Sequence, residues 1–153
     1  MDPSERDRLA EALLVTSRAL VAIAVRSMSA GDAEVTVVQH RVLVLLDARG
    51  PLSVSAVADA LGVDQSNASR HCTRLSRLGL VTRVTAAHDR RAVDVALTDA
   101  GRRQVKAVRR ARRREIAQVL DRMPDDAARA AVHWFEHFDE AAAALLDGVA
   151  PVV

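Results

Sequence analysis

The sequence predicts a mainly α-helical fold, a winged helix-turn-helix of six helices with one small β-hairpin. Three observations predict it. Residues 53–81, SVSAVADALGVDQSNASRHCTRLSRLGLV, read as two short helices around a tight turn. Residues 82–101, TRVTAAHDRRAVDVALTDAG, read as an Arg-rich hairpin that runs into a Thr-capped helix. Long stretches with apolar residues at helical spacing flank both segments.

Each element follows from local signals. Ser4 opens a long helix with Leu9, Leu13, Leu20 and Ile23 at helical spacing, and Gly31-Asp32 breaks it. Thr36 and Gln39 have capping-box spacing and start a helix that buries Val38, Val42, Leu45 and Leu46 before Gly50-Pro51 stops it. Ser53 caps the next helix, with Val54, Val57 and Leu61 inward, and Gly62 is free to take the left-handed conformation of the turn. Asp64 caps a helix running to about Leu78, which Gly79 ends. Val81–Val84 and Ala92–Leu97 suit two strands joined around His88-Asp89-Arg90-Arg91. Thr98 caps a helix through the basic tract to about Arg122. Pro124, followed by Asp125 and Asp126, starts the last helix, expected to bury Ala128, Ala131, Val132, Phe135, Phe138, Ala142 and Leu145.

The chain has 153 residues, enough for one compact unit that buries about two thirds of its unfolded surface. No apolar run reaches bilayer length, the first 30 residues fit neither a secretory signal nor a transit peptide, and a single cysteine cannot form an internal disulfide. A cytoplasmic protein without a membrane partner is the expectation. The helices before and after the central segment have apolar faces too broad for its core to cover. A two-fold dimer with intertwined terminal helices answers that, so the expected division is 1–34 and 101–153 for dimerisation and 35–100 for the winged helix-turn-helix.

The net charge of +2 conceals a strong asymmetry. Residues 65–114 carry 14 Arg or Lys against 3 Asp or Glu, whereas the segments on both sides are acidic overall. Such a local field favours a polyanion through counterion release, although a solvated Arg-rich helix face would look the same by itself. On the helix after Asp64, Ala68, Cys72, Leu75 and Leu78 share one face, and Ser66, Arg70, Thr73 and Arg77 lie opposite, flanked by Ser69 and Arg74. Hydroxyls for phosphates and Arg for guanine suit a major groove. Arg70, in the second turn, is the first candidate for a base contact, and Gln65 and Asn67 in the first turn are further candidates. Double-stranded DNA is the expected partner, and paired readers suit half-sites about one helical turn apart.

Leu61-Gly62-Val63, Ser69-Arg70, Leu75, Leu78-Gly79-Leu80-Val81, Asp89-Arg90-Arg91 and Leu97-Thr98-Asp99-Ala100-Gly101 together resemble the MarR family of bacterial winged-helix regulators. The resemblance spans essentially the whole chain, and the wing pattern is its most specific part. It implies a homodimer on a pseudo-palindromic operator, usually as a repressor. It further implies that Arg91 enters the minor groove while Asp89 orients it, with Arg90 on phosphate. An Arg at a hairpin tip suits the electronegative minor groove of A·T-rich DNA.

The resemblance also implies a small-molecule effector, often a phenolic or other aromatic anion, held between the dimer helices and the reader. Arg18, His40, Arg41, Arg77 and Arg83 are the candidates by position. The only three aromatic residues lie in the last helix, which limits stacking. A metal- or thiol-responsive regulator of the same fold is the alternative. Cys72 occupies the buried register of its helix, which favours a small core residue over a redox switch. His133-Trp-Phe-Glu-His137 matches the H-x-x-E-H signature of zinc peptidases, in which Glu136 would be the base. That enzyme needs a further carboxylate ligand and a cleft, so the expectation is no enzyme, no cofactor and no resident metal, with His133, Glu136 and His137 the weak metal candidates.

Overall fold

Why the helices start and stop where they do is visible atom by atom in a computed structural model, which describes residues 2–87 and 91–145. Helix α1 spans Pro3–Ser27 and runs into a 3₁₀ turn, Met28–Ala30. It begins one residue before the expected Ser4: Pro3 takes the first turn, Asp2 is the cap, and the Ser4 hydroxyl donates to the Asp2 carboxylate at 2.5 Å. Helix α2, Val37–Arg49, has both halves of its capping box, with Gln39 N donating to Thr36 Oγ1 at 3.3 Å and Thr36 N to Gln39 Oε1 at 3.0 Å. Helix α3, Val54–Leu61, is capped by the Ser53 hydroxyl, which accepts from Ala56 N at 3.1 Å. Gly62 then takes φ +63°, and helix α4 follows at Gln65–Arg77. Asp64 holds the cap position of α4 but makes no capping bond; its carboxylate instead accepts from Asn67 Nδ2 at 3.5 Å.

Strands β1, Val81–Thr85, and β2, Val93–Leu97, pair antiparallel from Val81↔Leu97 to Thr85↔Val93. Leu52 adds a short third rung, exchanging both backbone bonds with Val95 at 3.0 and 2.8 Å. Helix α5 covers Asp99–Leu120 and α6 covers Asp125–Leu145, whose first turn accepts through Pro124 O from Ala128 N. The core gathers Val42 and Leu43 of α2, Val57 of α3, Ala68 and Leu75 of α4, Val95 of β2 and Val105 of α5. Val38 and Val54, expected inside, are only half-buried at its margin.

Two joints hold α5 in place. Thr98 accepts from Gly101 N at 3.0 Å and donates to Gly79 O at 2.6 Å, locking the start of α5 to the end of α4. A Cβ on Gly101 would stand 2.1 Å from Leu80 O, so this approach requires glycine and accounts for the Leu-Thr-x-x-Gly spacing. Farther along, Gln104 is 1% exposed and clamps the loop after α1, accepting from Ala33 N at 3.1 Å and donating to Ala33 O at 2.8 Å. Arg112 reaches Ser27 Oγ at 3.3 Å, and Arg26 pairs with Glu115 at 2.6 Å, joining α5 to α1.

The last helix departs from expectation. No described residue of α6 is fully buried: Ala128, Ala131 and Ala142 are half-buried, and Val132, Phe135, Phe138 and Leu145 are exposed. The physical reason is that within one chain α6 lines an open apolar groove with the N-terminal half of α1, between Leu9, Leu13 and Thr16 on one side and Ala131, Trp134 and Phe135 on the other. Leu9 and Leu20 of α1 are exposed as well, while Leu13 is half-buried and Ile23 buried.

Two outcomes test these joints. Gln104→Leu leaves both backbone groups of Ala33 without their partner and should cost about 2–3 kcal/mol in urea denaturation; a loss below about 0.5 kcal/mol would contradict the clamp. His40, 4% exposed on α2, is pushed down from 6.5 to about 4, first by burial and then by Arg112. The unfolded chain therefore takes up this proton first. Stability from this group is full above pH 6.5, falls as pH drops through 6.5 to about 4, and is flat below, a loss of about 3 kcal/mol at most. His40→Gln should flatten that slope, and an unchanged slope would assign it elsewhere.

Candidate nucleic-acid interface

The outward face of α4 is decided by the inward one. Ala68, Cys72 and Leu75 are buried at i, i+4 and i+7, and Leu78 is half-buried just beyond. The remaining side of the helix must then face away from the core. Ser66, Ser69, Arg70, Arg74 and Arg77 are exposed there, together with Gln65 in the first turn, while Asn67 and Thr73 are half-buried. Thr73 therefore belongs to the margin of the face and not to its crest.

Several of these side chains are held before any ligand arrives. Gln65 Nε2 donates to Ser55 Oγ at 3.0 Å, tying the first turn of α4 to α3. The Arg70 guanidinium donates to Asn67 Oδ1, and Asn67 donates in turn to Asp64. This relay lays Arg70 along the helix surface toward its N-terminal end. Arg74 and Arg77 make no ion pair with any described residue, so their charge is presented to solvent. Ala86 N donates to Ala92 O at 3.0 Å and closes the hairpin below its tip. Arg91 is exposed at the end of that tip, and Asp89 and Arg90 lie outside the described residues.

The five effector candidates do not converge. Arg77 and Arg83 line a small cavity of about 140 Å³ between α4 and the hairpin, along with Ser69, Cys72 and Thr73. His40 lines a separate cavity of about 510 Å³ between α2 and α5. Arg18 is exposed on α1, and half-buried Arg41 lines neither cavity. The reason is geometric: Arg77 and Arg83 belong to the wall between α4 and the hairpin, and His40 to the α2–α5 seam. Sequence reasoning missed the cations that do share a space with His40, namely Arg109, Arg112 and Arg113. Their signal was present, since Val105, Arg109, Arg112 and Ile116 recur at helical spacing on one side of α5. Burial holds the Arg112 guanidinium below its ordinary value, and the Nδ1 of His40 is buried without a hydrogen-bond partner among the described residues. Asp47 supplies the carboxylate in the lining.

Cys72 is buried, and burial pushes its thiol up while Arg83 opposes the shift. A thiol held protonated is a poor nucleophile, which supports the core reading. On α6, His133 and His137 bring their Nε2 atoms to 3.2 Å, and among the described residues Glu136 makes no hydrogen bond or ion pair; it is Glu140 that approaches the His137 ring, at 3.5 Å. Among the described residues, no group of three His, Cys, Asp or Glu side chains gathers as a metal cage, and no helix is long and apolar enough to cross a membrane.

Comparisons with known proteins give this geometry a context. The family model described as "MarR family" matches residues 33–92, from the loop before α2 to the wing. The HTH-type transcriptional repressor MdtR of Bacillus subtilis is 31% identical over 99 residues, covering 65% of this chain and 64% of that protein. The chain spans less than two thirds of the length of the curated relatives it matches. The crystal structure of RV1404 from Mycobacterium tuberculosis superposes with a TM-score of 0.81 at 36% identity, covering 88% of this chain and 92% of that one. A MarR family protein from Bacillus stearothermophilus also gives 0.81, at 22% identity over 92% of this chain and 97% of its own, and shows the same fold. A helix-turn-helix with a hairpin wing, a basic outward face on α4 and these relatives have one common description: the helix-turn-helix and wing, residues 33–92, match the MarR family, and the chain shares the fold of a solved member.

Proposed function

We propose that the protein is a homodimeric repressor of a pseudo-palindromic operator, released by a small anionic ligand. The observation that carries the reading is the exposed Ser and Arg face of α4, fixed outward by burial of Ala68, Cys72 and Leu75. In this reading Arg70, Gln65 and Asn67 address base edges, and Ser66, Ser69, Thr73, Arg74 and Arg77 address phosphates or flanking bases. In the same reading Arg91 enters the minor groove beside each half-site, Asp89 orients it and Arg90 meets phosphate. Residues 35–100 read DNA, and residues 1–34 and 101–153 join two chains. The exposed Phe135, Phe138, Leu14 and Val21 support that seam, because a soluble monomer rarely leaves such faces bare. Repression rests on the name of the relative MdtR.

The ligand reading rests on the α2–α5 cavity, where Arg109, Arg112 and Arg113 outnumber Asp47 beside a neutral His40. None of the three aromatic side chains lines it, so charge pairing with Arg would dominate recognition. Its wall, α5, is anchored by Thr98 to the end of α4. A ligand that draws α5 against α2 then shifts the spacing of the two reading helices, provided it binds the DNA-incompatible spacing better.

Selection of bound duplexes from a random pool, repeated with a panel of carboxylic acids, tests the whole reading. An inverted repeat should emerge, and one class of acid should abolish it; a pool without enrichment would contradict DNA reading. On the selected site, Arg70→Ala should cost about 1–3 kcal/mol and blur preference at one position per half-site. Arg91→Ala should weaken binding most on A·T-rich flanks, and equal loss on every flank would exclude minor-groove reading. Arg109→Ala with Arg113→Ala should leave DNA affinity intact and remove the response to the acid.

A further inference from the structure

We propose that His133 and His137 on α6 chelate a late first-row divalent ion of the Ni²⁺, Cu²⁺ or Zn²⁺ class, with the Glu140 carboxylate orienting the His137 ring. The first argument is the separation of the two nitrogens. Their Nε2 atoms face each other at 3.2 Å, with the rings 78° apart and their centroids at 4.3 Å. An ion about 2.0–2.1 Å from each nitrogen would subtend an N–metal–N angle of about 100°, between the octahedral and tetrahedral values. The i, i+4 spacing on a regular helix fixes this separation, so little rearrangement is needed to close the chelate.

The second argument is the proton. One imidazole can donate its Nε2–H to the Nε2 of the other, or both can offer their Nε2 lone pairs to a cation. Glu140 Oε2 lies 3.5 Å from Nδ1 of His137, which favours the proton on that nitrogen and leaves the Nε2 lone pair free. A carboxylate behind an imidazole in this manner is the arrangement that orients metal-bound histidines generally. Glu136, central to the peptidase signature, takes no part.

The third argument is access. Both imidazoles are exposed, so an ion reaches them without desolvating a buried charge. Beside them is a cavity of about 530 Å³ lined by Leu9, Ala130, His133, Trp134, His137 and Phe138, with room for the waters that would complete the coordination. Two imidazole ligands suit nickel, copper and zinc, whereas magnesium and calcium ask for oxygen. The site lies on α6 beside α1, away from α4 and the wing, and stands or falls independently of the DNA reading.

Untagged, metal-stripped full-length protein is titrated with nickel and zinc salts by calorimetry, and its copper complex is read by electron paramagnetic resonance. One ion per chain is expected, with hyperfine coupling to two imidazole nitrogens. His133→Ala or His137→Ala should each weaken binding by at least about tenfold, and Glu140→Gln by about tenfold. Because these side chains are exposed, circular dichroism should show every variant folded. Undiminished binding in the double His variant would place the ion elsewhere and overturn the proposal, as would no heat of binding at millimolar metal.

Discussion

One apolar stripe on α4 governs the molecule. With Ala68, Cys72 and Leu75 seated on α2 and α3, rotation of α4 by even one residue would bury an Arg or Ser and expose a Leu. Such a rotation forfeits hydrophobic burial and desolvates a charge at once, so the helix has one allowed orientation. The left-handed Gly62 before it and Gly79 after it, at φ +63° and +70°, let the chain enter and leave at the angles this orientation demands. The charged face is outward as a consequence of packing. No separate force needs to hold it there.

The winged helix-turn-helix was legible in the sequence because its signals are local. The capping box at Thr36, the caps at Ser53 and Thr98, the turn at Gly62 and the buried face of α4 each depend on residues within one or two turns of each other. Tertiary pairings were not legible. Leu52 bridges to Val95, and Gln104 to Ala33, across long stretches of chain that no periodicity connects. The effector candidates illustrate the same limit: Arg77 and His40 were grouped by their positions in sequence, yet they line separate cavities. The apolar stripe of α6 was read correctly as a stripe, but sequence does not say whether a helix face is covered by its own chain.

In the proposed reading, α5 connects the α2–α5 cavity to the end of α4. Arg109, Arg112 and Arg113 line that cavity from α5, and the same helix begins at Thr98, whose hydroxyl bonds the carbonyl of Gly79. Gln104 fastens the start of α5 to the loop before α2, and the Arg26–Glu115 pair fastens its later turns to α1, near the apolar faces at which two chains would meet. In the proposed reading, a displacement of α5 would be shared between seam and reader. The Asn67–Arg70 contact adds a local element: in the proposed reading the exposed guanidinium would exchange that partner for a base or phosphate on binding, at little cost.

Affinity for a selected inverted-repeat duplex, measured against salt together with the mass of the complex, bears most directly on the central claim. The account predicts two chains per duplex and a logarithmic salt slope on the order of −5 or steeper, from arginines of both reading helices on phosphate. One chain per duplex, or an affinity indifferent to salt, would mean that the face α4 turns outward does not meet the DNA backbone.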